Sequence, residues 1–345
     1  MKNFLSYLTT NQKSFIEDPF NDIDSLIFAY LAYLHFPTTK TKLKELDIKK
    51  TTKVTKNKEF IKKVIESNRY KNIELCFFIE DTNDLLEKQF SAVTFLLPNN
   101  TMYISFRGTD SSLTGWKENF NMAYTLPVPA QKEALNYVEK ITKLIPRKFY
   151  LGGHSKGGNL AVYAGCNLPN NLSNKIINIY SHDGPGFLKE FLTTSNYQSM
   201  KNKISKIVPS SSIIGMLLYT NEHYKIIKSS ERGILEHDPF SWLIEENNFI
   251  VLKNLSDGTS YTNKVINDFI TNLTKKEREI FVESLFIVLR STNLTTLDEI
   301  SKNFIIKIPD IIIAIYKLDD VNKKYLLKTI KALIKSCLVN LKELI

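Results

Sequence analysis

Gly153-His154-Ser155-Lys156-Gly157 joins an apolar run, Phe149-Tyr-Leu-Gly-Gly153, to the apolar-periodic stretch Gly158-Asn-Leu-Ala-Val-Tyr-Ala164. A serine between two glycines at the junction of a strand and a helix is the pattern of a nucleophile elbow, where a tight, strained turn lifts the hydroxyl above a sheet. The glycines are needed for space, because a side chain on either would collide with the neighbouring strand or helix. A Gly-rich helix N-terminus can instead hold phosphate. That alternative lacks its usual signature, a P-loop lysine followed by Ser or Thr.

A serine alcohol is a poor nucleophile at neutral pH. It needs a base in hydrogen-bond reach, an acid to orient that base, and donors for the oxyanion. Five histidines are available. His154 is inside the elbow and points away from the serine, His35 precedes any sheet, and His182 ends the strand after the elbow. His223 opens the last strand of the core, and His237 lies in the loop beyond it. In the chain order serine, acid, histidine, the base follows the last strand. His237 is therefore the expected base, with His223 as the alternative. The amide of Lys156, next to the nucleophile, is one expected oxyanion donor. The turn after Ile104-Ser-Phe-Arg107 supplies the other, from Thr109 or Asp110, and Thr109 is preferred.

The elements around these residues follow from hydrophobic rhythm. Residues 1–70 read as a helical N-terminal segment, with Asp22-Ile-Asp24 starting a strongly apolar helix that Pro37 stops. From about 72 the pattern shifts to short β-rich runs at 73–79, 91–97 and 102–106, with Asn99-Asn100 marking a hairpin. Helices and strands then alternate to about 228. That order predicts an α/β fold: a mostly parallel central sheet flanked by helices, with a core over 71–245. The chain reads as helical again over 246–345, including helices at 276–289 and 322–345. The latter carries Leu326, Ile330, Leu333, Ile334, Cys337, Leu338 and Leu341 on one face and lysines opposite. That face is expected to pack on its helical neighbours, with peripheral contact with an anionic membrane as the alternative.

At 345 residues the chain can hold one large domain with additions. The net charge of +10 comes from lysines spread among acidic residues, and no nucleic-acid-binding module accompanies them. No nucleic-acid partner is expected. No apolar stretch approaches bilayer-spanning length, and the apolar part of Met1-Lys-Asn-Phe-Leu-Ser-Tyr-Leu8 is too short for a signal peptide. Cytoplasmic residence is the expectation. The three cysteines form no C-x-x-C pair and read as buried small hydrophobes. No His/Cys/Asp cluster has metal-ligand spacing, and neither metal nor cofactor is implied.

Phe106-Arg-Gly-Thr-Asp110, Trp116-Lys-Glu-Asn119 and Gly153-His-Ser-Lys-Gly157, in this order and spacing, resemble the class 3 lipase branch of the α/β-hydrolases. A bacterial set called Mbeg1-like, a domain of unknown function, is more similar still. Its matching features are Pro19-Phe-Asn-x-x-Asp24, the elbow helix over 157–164, Asp183-Gly-Pro-Gly-Phe187, Pro209-x-x-Ser-x-Ile-Gly-Met-Leu-Leu218 and His237-Asp-Pro-Phe-Ser-Trp242. The resemblance covers about residues 15–245 and implies an α/β-hydrolase fold with a serine-hydrolase site. It implies hydrolysis of carboxylic esters, with lipid esters ahead of small soluble ones. A catalytically inactive hydrolase fold that serves as a binding or scaffold protein is the alternative.

One departure bears on the acid. Class 3 lipases carry an Asp in the segment that resembles Ile207-Val-Pro-Ser-Ser-Ser-Ile213, and here only serines stand there. The nearest suitable carboxylate in chain order is Asp183, at the C-terminal edge of the strand after the elbow helix, where functional groups collect in open parallel sheets. Pancreatic-type lipases resemble this placement. Asp183 could instead only organise its Gly-Pro turn. Asp238 and Glu222 are weaker choices, one because it adjoins His237, the other because it would reach from the far side of a strand.

Overall fold

The computed structural model describes residues 2–329 and 331, apart from 257, 297, 298 and 300–302. Its strands are β1 (Thr41–Lys42), β2 (Glu74–Asn83), β3 (Lys88–Leu96), β4 (Thr101–Phe106), β5 (Lys148–His154), β6 (Ile176–His182), β7 (Ile204–Pro209) and β8 (Tyr224–Ile227). Three two-residue strands follow: β9 (Ile244–Glu245), β10 (Asn248–Phe249) and β11 (Val251–Leu252). One sheet runs in the order β1-β2-β3-β4-β5-β6-β7-β8-β11, and β9 pairs with β10. Strands β4 to β8 are mutually parallel, while β3 and β11 run antiparallel to their neighbours β4 and β8. A mostly parallel sheet flanked by helices, with a strand–turn–helix at β5, is an α/β-hydrolase fold.

The chain divides into two compact units. The first comprises Met1–Asp81, Phe90–Gly108 and Ala130–Thr259; the second comprises Thr82–Gln89, Thr109–Pro129 and the chain from Ser260 on. The sheet belongs to the first unit except at the tip of the β2–β3 hairpin. The N-terminal helices fall in that unit too.

Side chains alternate faces along a strand, and this alternation sorts the helices of the first unit. Tyr150 stacks on Phe20, with ring centroids 4.4 Å apart, and Phe20 stacks on Phe28 of the helix Asp22–Leu31. Leu151 and Ile179 point the other way, against Gly165 of the elbow helix Lys156–Asn167. The two helices therefore cover opposite faces of the central strands. The first of them also makes polar contacts through the core. The Ser105 hydroxyl donates to the Phe28 carbonyl at 2.9 Å, and the Ser25 hydroxyl lies 2.9 Å from the Tyr103 hydroxyl and 2.8 Å from Nε2 of His182.

That helix begins with a capping box. Asn21 accepts from the amides of Ile23 and Asp24, and the Asp24 carboxylate accepts from the Asn21 amide at 2.9 Å. The same carboxylate is fully buried and receives two charge-assisted bonds from Arg69, at 2.7 and 2.5 Å, and a third bond from the Tyr70 hydroxyl. Arg69 also donates to the carbonyls of Lys13 and Asp18, both at 2.9 Å, which draws the 13–20 loop onto the core.

In the second unit, Leu113–Asn121 packs on Lys275–Arg290 around Leu113, Tyr124, Val282 and Phe286. Lys117, within the Trp-Lys-Glu-Asn motif, is buried and pairs with Glu283 and Glu87. The helix Phe304–Lys317 packs on Lys275–Arg290 as well. The region after 245 departs from the helical expectation at its start. Glu246 and Asn247 take positive φ of 45° and 63° and turn β9 into β10. Helix begins only at Thr259. Two successive left-handed residues form the hairpin turn whose twist suits its strands, and without glycine it leaves little trace in sequence. Most of the expected helix at 322–345 lies outside the described residues, as does Cys337. Cys76 and Cys166 are buried free thiols, which burial pushes up to about 11 and about 12.

The Asp24–Arg69 pair generates a prediction. Arg69→Met leaves a carboxylate uncompensated in the core and lowers the unfolding free energy by about 3–5 kcal/mol. Urea denaturation followed by circular dichroism measures this, and a loss below about 1 kcal/mol shows that the pair does not anchor the helix.

Candidate active site

Ser155 sits where β5 ends and the elbow helix starts, with φ 58° and ψ −131°. A non-glycine residue rarely adopts such a backbone, and it persists only where its surroundings hold it. Here the Ser155 amide donates to the His182 carbonyl, and the Ser155 carbonyl accepts from the Gly158 amide, both at 2.9 Å. A Cβ on Gly157 would lie 2.1 Å from the Phe106 carbonyl oxygen, and one on Gly153 would lie 2.4 Å from the Gly157 carbonyl carbon. Only glycine lets the end of β4, the turn and the helix approach this closely. The serine thus meets the positive end of a twelve-residue helix, whose first amide is that of Lys156.

Asp183 follows β6 directly, with φ 50°. Its buried carboxylate lies 2.6 Å from Nδ1 of His237 through Oδ2, and Oδ1 accepts from the Ser212 hydroxyl at 2.5 Å. The Asp183 amide donates to the Ile207 carbonyl at 2.8 Å. Gly215 makes room for the group, since a Cβ there would sit 2.2 Å from Oδ1. A carboxylate on Nδ1 places the ring proton there and leaves Nε2 as the basic nitrogen. The His237 side chain is 26% exposed and the Asp183 side chain 1%, so one end of the pair meets solvent and the other does not. Below them Lys206 is buried between Glu222 and Asp183. Desolvation pulls its pKa down, and the two carboxylates oppose that.

His237 ends the short 3₁₀ turn Gly233–His237, and its main chain is gripped from several sides. The buried Glu236 carboxylate accepts from the Ser211 amide at 2.6 Å and the Ser210 hydroxyl at 3.0 Å. The Glu236 carbonyl accepts from the Trp242 indole at 2.8 Å. The His237 carbonyl lies 2.9 Å from Nε2 of His154. The motif His237-Asp-Pro-Phe-Ser-Trp242 is thereby a folded unit: Asp238 caps the turn Pro239–Ser241, and Trp242 reaches back to the residue before the histidine.

Asp183 and His237 are thus brought together, while the weaker choices lie elsewhere. Glu222 accepts from the Tyr197 hydroxyl, Asp238 pairs with Lys56 at 2.6 Å, and His223 is exposed just ahead of β8. Thr109 belongs to the second unit, where its hydroxyl donates to Asn119 at 2.9 Å. Sequence reasoning places Ser212 and Trp242 in motifs without a role and gives none to Glu236. The serine run after β7 was the available signal for Ser212, had it been read for what it can donate and not only for the acid it lacks.

His154 and His182 are buried beside the pair. Burial holds the His154 imidazole well below the usual histidine range and pushes His182 down to about 3. In the unfolded chain both take up protons below about pH 6.5. The unfolded state then binds more protons, so the stability these rings confer is fully present above about pH 6.5 and is lost as pH falls toward 3. His182→Gln removes one of the two titrations. Between pH 7.5 and 5 the variant should lose about 2 kcal/mol less stability than the parent, read from urea midpoints; equal losses would refute a neutral buried His182.

Solved structures similar to this chain include lipases. The Rhizomucor miehei lipase propeptide complex aligns at 17% identity over 46% of this chain and 57% of that chain, with a TM-score of 0.35. Lipase II from Rhizopus niveus aligns at 20% over 50% and 70%, with a TM-score of 0.36, and M37 lipase at 14% over 57% and 70%, with 0.38. The match thus spans little more than half of the Rhizomucor lipase chain, and likenesses at this level say nothing of activity. No curated protein matches. The Mbeg1-like family model matches residues 64–287, well over half of the 345 residues. With that match lying over the elbow, Asp183 and His237, the chain belongs to the Mbeg1-like family.

Proposed function

We propose that this protein is a serine hydrolase that cleaves carboxylic esters through an acyl-enzyme. The observation that carries the reading is the 2.6 Å contact between the Asp183 carboxylate and Nδ1 of His237, in a chain whose Ser155 occupies a strained elbow. Ser155 Oγ attacks the acyl carbonyl carbon while its proton passes to Nε2 of His237. The carbonyl oxygen becomes the oxyanion, held by the Lys156 and Thr109 amides. As the tetrahedral species collapses, the ester C–O bond breaks, and the alcohol leaves with the proton from Nε2. Water then attacks the acyl-serine by the same route and releases the acid. Asp183 remains ionised throughout, fixing the tautomer and stabilising the imidazolium. Lipid esters are the preferred substrate class, on the motif resemblance to class 3 lipases, and the net charge of +10 suits an anionic lipid surface.

A fluorophosphonate probe tests the mechanism. The parent protein should be labelled at Ser155, and Ser155→Ala should not. Asp183→Asn should slow labelling by roughly 10³- to 10⁴-fold with the near-ultraviolet circular dichroism unchanged. Failure of the folded parent to label would favour a retired hydrolase fold that acts as a binding protein. Hydrolysis measured across acyl chain lengths and headgroups tests the substrate class, and a preference for short soluble esters would remove the lipid assignment.

A further inference from the structure

His154 separates Gly153 from Ser155, and the hydrolysis proposed above gives it no task. Its ring is 5% exposed and lies between two partners. Nδ1 is 2.9 Å from the Tyr33 hydroxyl, and Nε2 is 2.9 Å from the His237 carbonyl oxygen. The ring also faces the His237 imidazole, with centroids 4.5 Å apart, and Trp242, with centroids 6.1 Å apart. A carbonyl oxygen can only accept, so Nε2 carries the proton. Nδ1 is then a lone pair, and the Tyr33 hydroxyl donates to it. Both bonds are satisfied by one tautomer of the neutral ring. Burial is the largest influence that keeps it neutral, followed by the His237 imidazole, while the bond to the His237 carbonyl works the other way and His182 and Lys56 again oppose a charge.

The turn that bears His237 needs such a hold. Residues Gly233–His237 form a single 3₁₀ stretch in which Ile234 and Leu235 are exposed, so apolar packing contributes little there. Its position depends on polar links: Glu236 to Ser210 and Ser211 below, Trp242 behind, and His154 at the carbonyl of the histidine itself. Of these only the last comes from the nucleophile's own turn.

We propose that His154 is a positioning residue. Its Nε2–H donates to the His237 carbonyl and ties the base to the elbow, so that Ser155 and the His237–Asp183 pair keep a fixed geometry. A neutral ring is required on a second ground. During acylation His237 becomes an imidazolium, and a cation 4.5 Å away would raise the energy of that state. The inference rests on the reading of Ser155, His237 and Asp183 as the reacting residues.

The test uses the full chain with three substitutions. His154→Gln places an amide nitrogen near the position of Nε2 and keeps the donor. His154→Phe keeps a ring against His237 and removes the donor. Tyr33→Phe leaves His154 in place but deletes the hydroxyl that fixes its tautomer. The rate constant for fluorophosphonate labelling should fall roughly tenfold or more in His154→Phe, stay within about threefold of the parent in His154→Gln, and fall by an intermediate factor in Tyr33→Phe. Nitrogen-15 spectra of the imidazoles give a readout independent of activity. The hydrogen-bonded Nδ1–H signal of His237 should persist in His154→Gln and broaden or vanish in His154→Phe. Parent-like labelling in His154→Phe, or equal slowing in the Gln and Phe variants, overturns the proposal. If the parent itself does not label, the hydrolase reading fails, and the His237 signal alone decides whether His154 fixes that ring. If His154→Phe does not fold, Tyr33→Phe decides, and an unchanged rate and His237 signal in that variant count against the proposal.

Discussion

The first unit is organised around one approach of backbone to backbone, where the Phe106 carbonyl at the end of β4 meets Cα of Gly157 in the elbow. No side chain fits between them. Because they touch, the elbow helix lies close on the sheet, the strained turn at Ser155 is held from both sides, and the end of β5 is level with the ends of β4 and β6. The His182 carbonyl, which accepts from the Ser155 amide, locks β6 at the same height. Asp183 is the next residue, so the same contact that raises the nucleophile sets the depth of the carboxylate. Relaxed by a larger residue at 157, it would shift the helix, the serine and the acid together.

Burial of polar groups around this point follows one logic. The carboxylates are paired with donors from distant stretches of chain, and burial disfavours charge on the two inner imidazoles. Asp183 has Ser212 and His237, and Glu236 has Ser210 and Ser211. His154 and His182 are held neutral by burial beside the partly exposed His237. The N-terminal helix takes part, because Ser25 bonds both Tyr103 and His182, the residue next to Asp183. That helix is therefore core to the sheet, and its own start is fixed by the Asp24–Arg69 pair.

What could be read in the sequence is what short-range pattern encodes. The elbow, the alternation of helices and strands and the Asn99-Asn100 hairpin all announce themselves within a few residues. The position of Asp183 could be reached only through chain order and through the missing aspartate among Ser210, Ser211 and Ser212. The donors and anchors around it were not legible, because each acts across a long stretch of chain: Tyr33 on His154, Ser212 on Asp183, Glu236 on Ser211. Near the end of the sheet, Glu246-Asn247 makes a hairpin without glycine, so a β9–β10 pair stands where helix was expected. The helix Phe304–Lys317 lies within the region expected to be helical, but its bounds were not legible, since apolar residues around most of its circumference, and Pro309 within it, blur the stripe that marks a surface helix.

The helix Asp22–Leu31 has a consequence for how the chain is made. Its apolar residues Leu26, Ile27 and Phe28 are covered by strands that include β5 and β6, and the last of these ends at His182. A ribosome adding roughly 5–20 residues per second takes about ten to thirty seconds to cover that interval. During this time Arg69 is already available to Asp24, and Phe15, Phe20 and Tyr70 to Phe28, but the strands that cover the rest of the helix do not yet exist. The nascent chain thus carries this apolar helix without its central strands for most of that interval. Until the sheet arrives, part of this apolar surface is exposed, the condition under which incompletely folded chains aggregate.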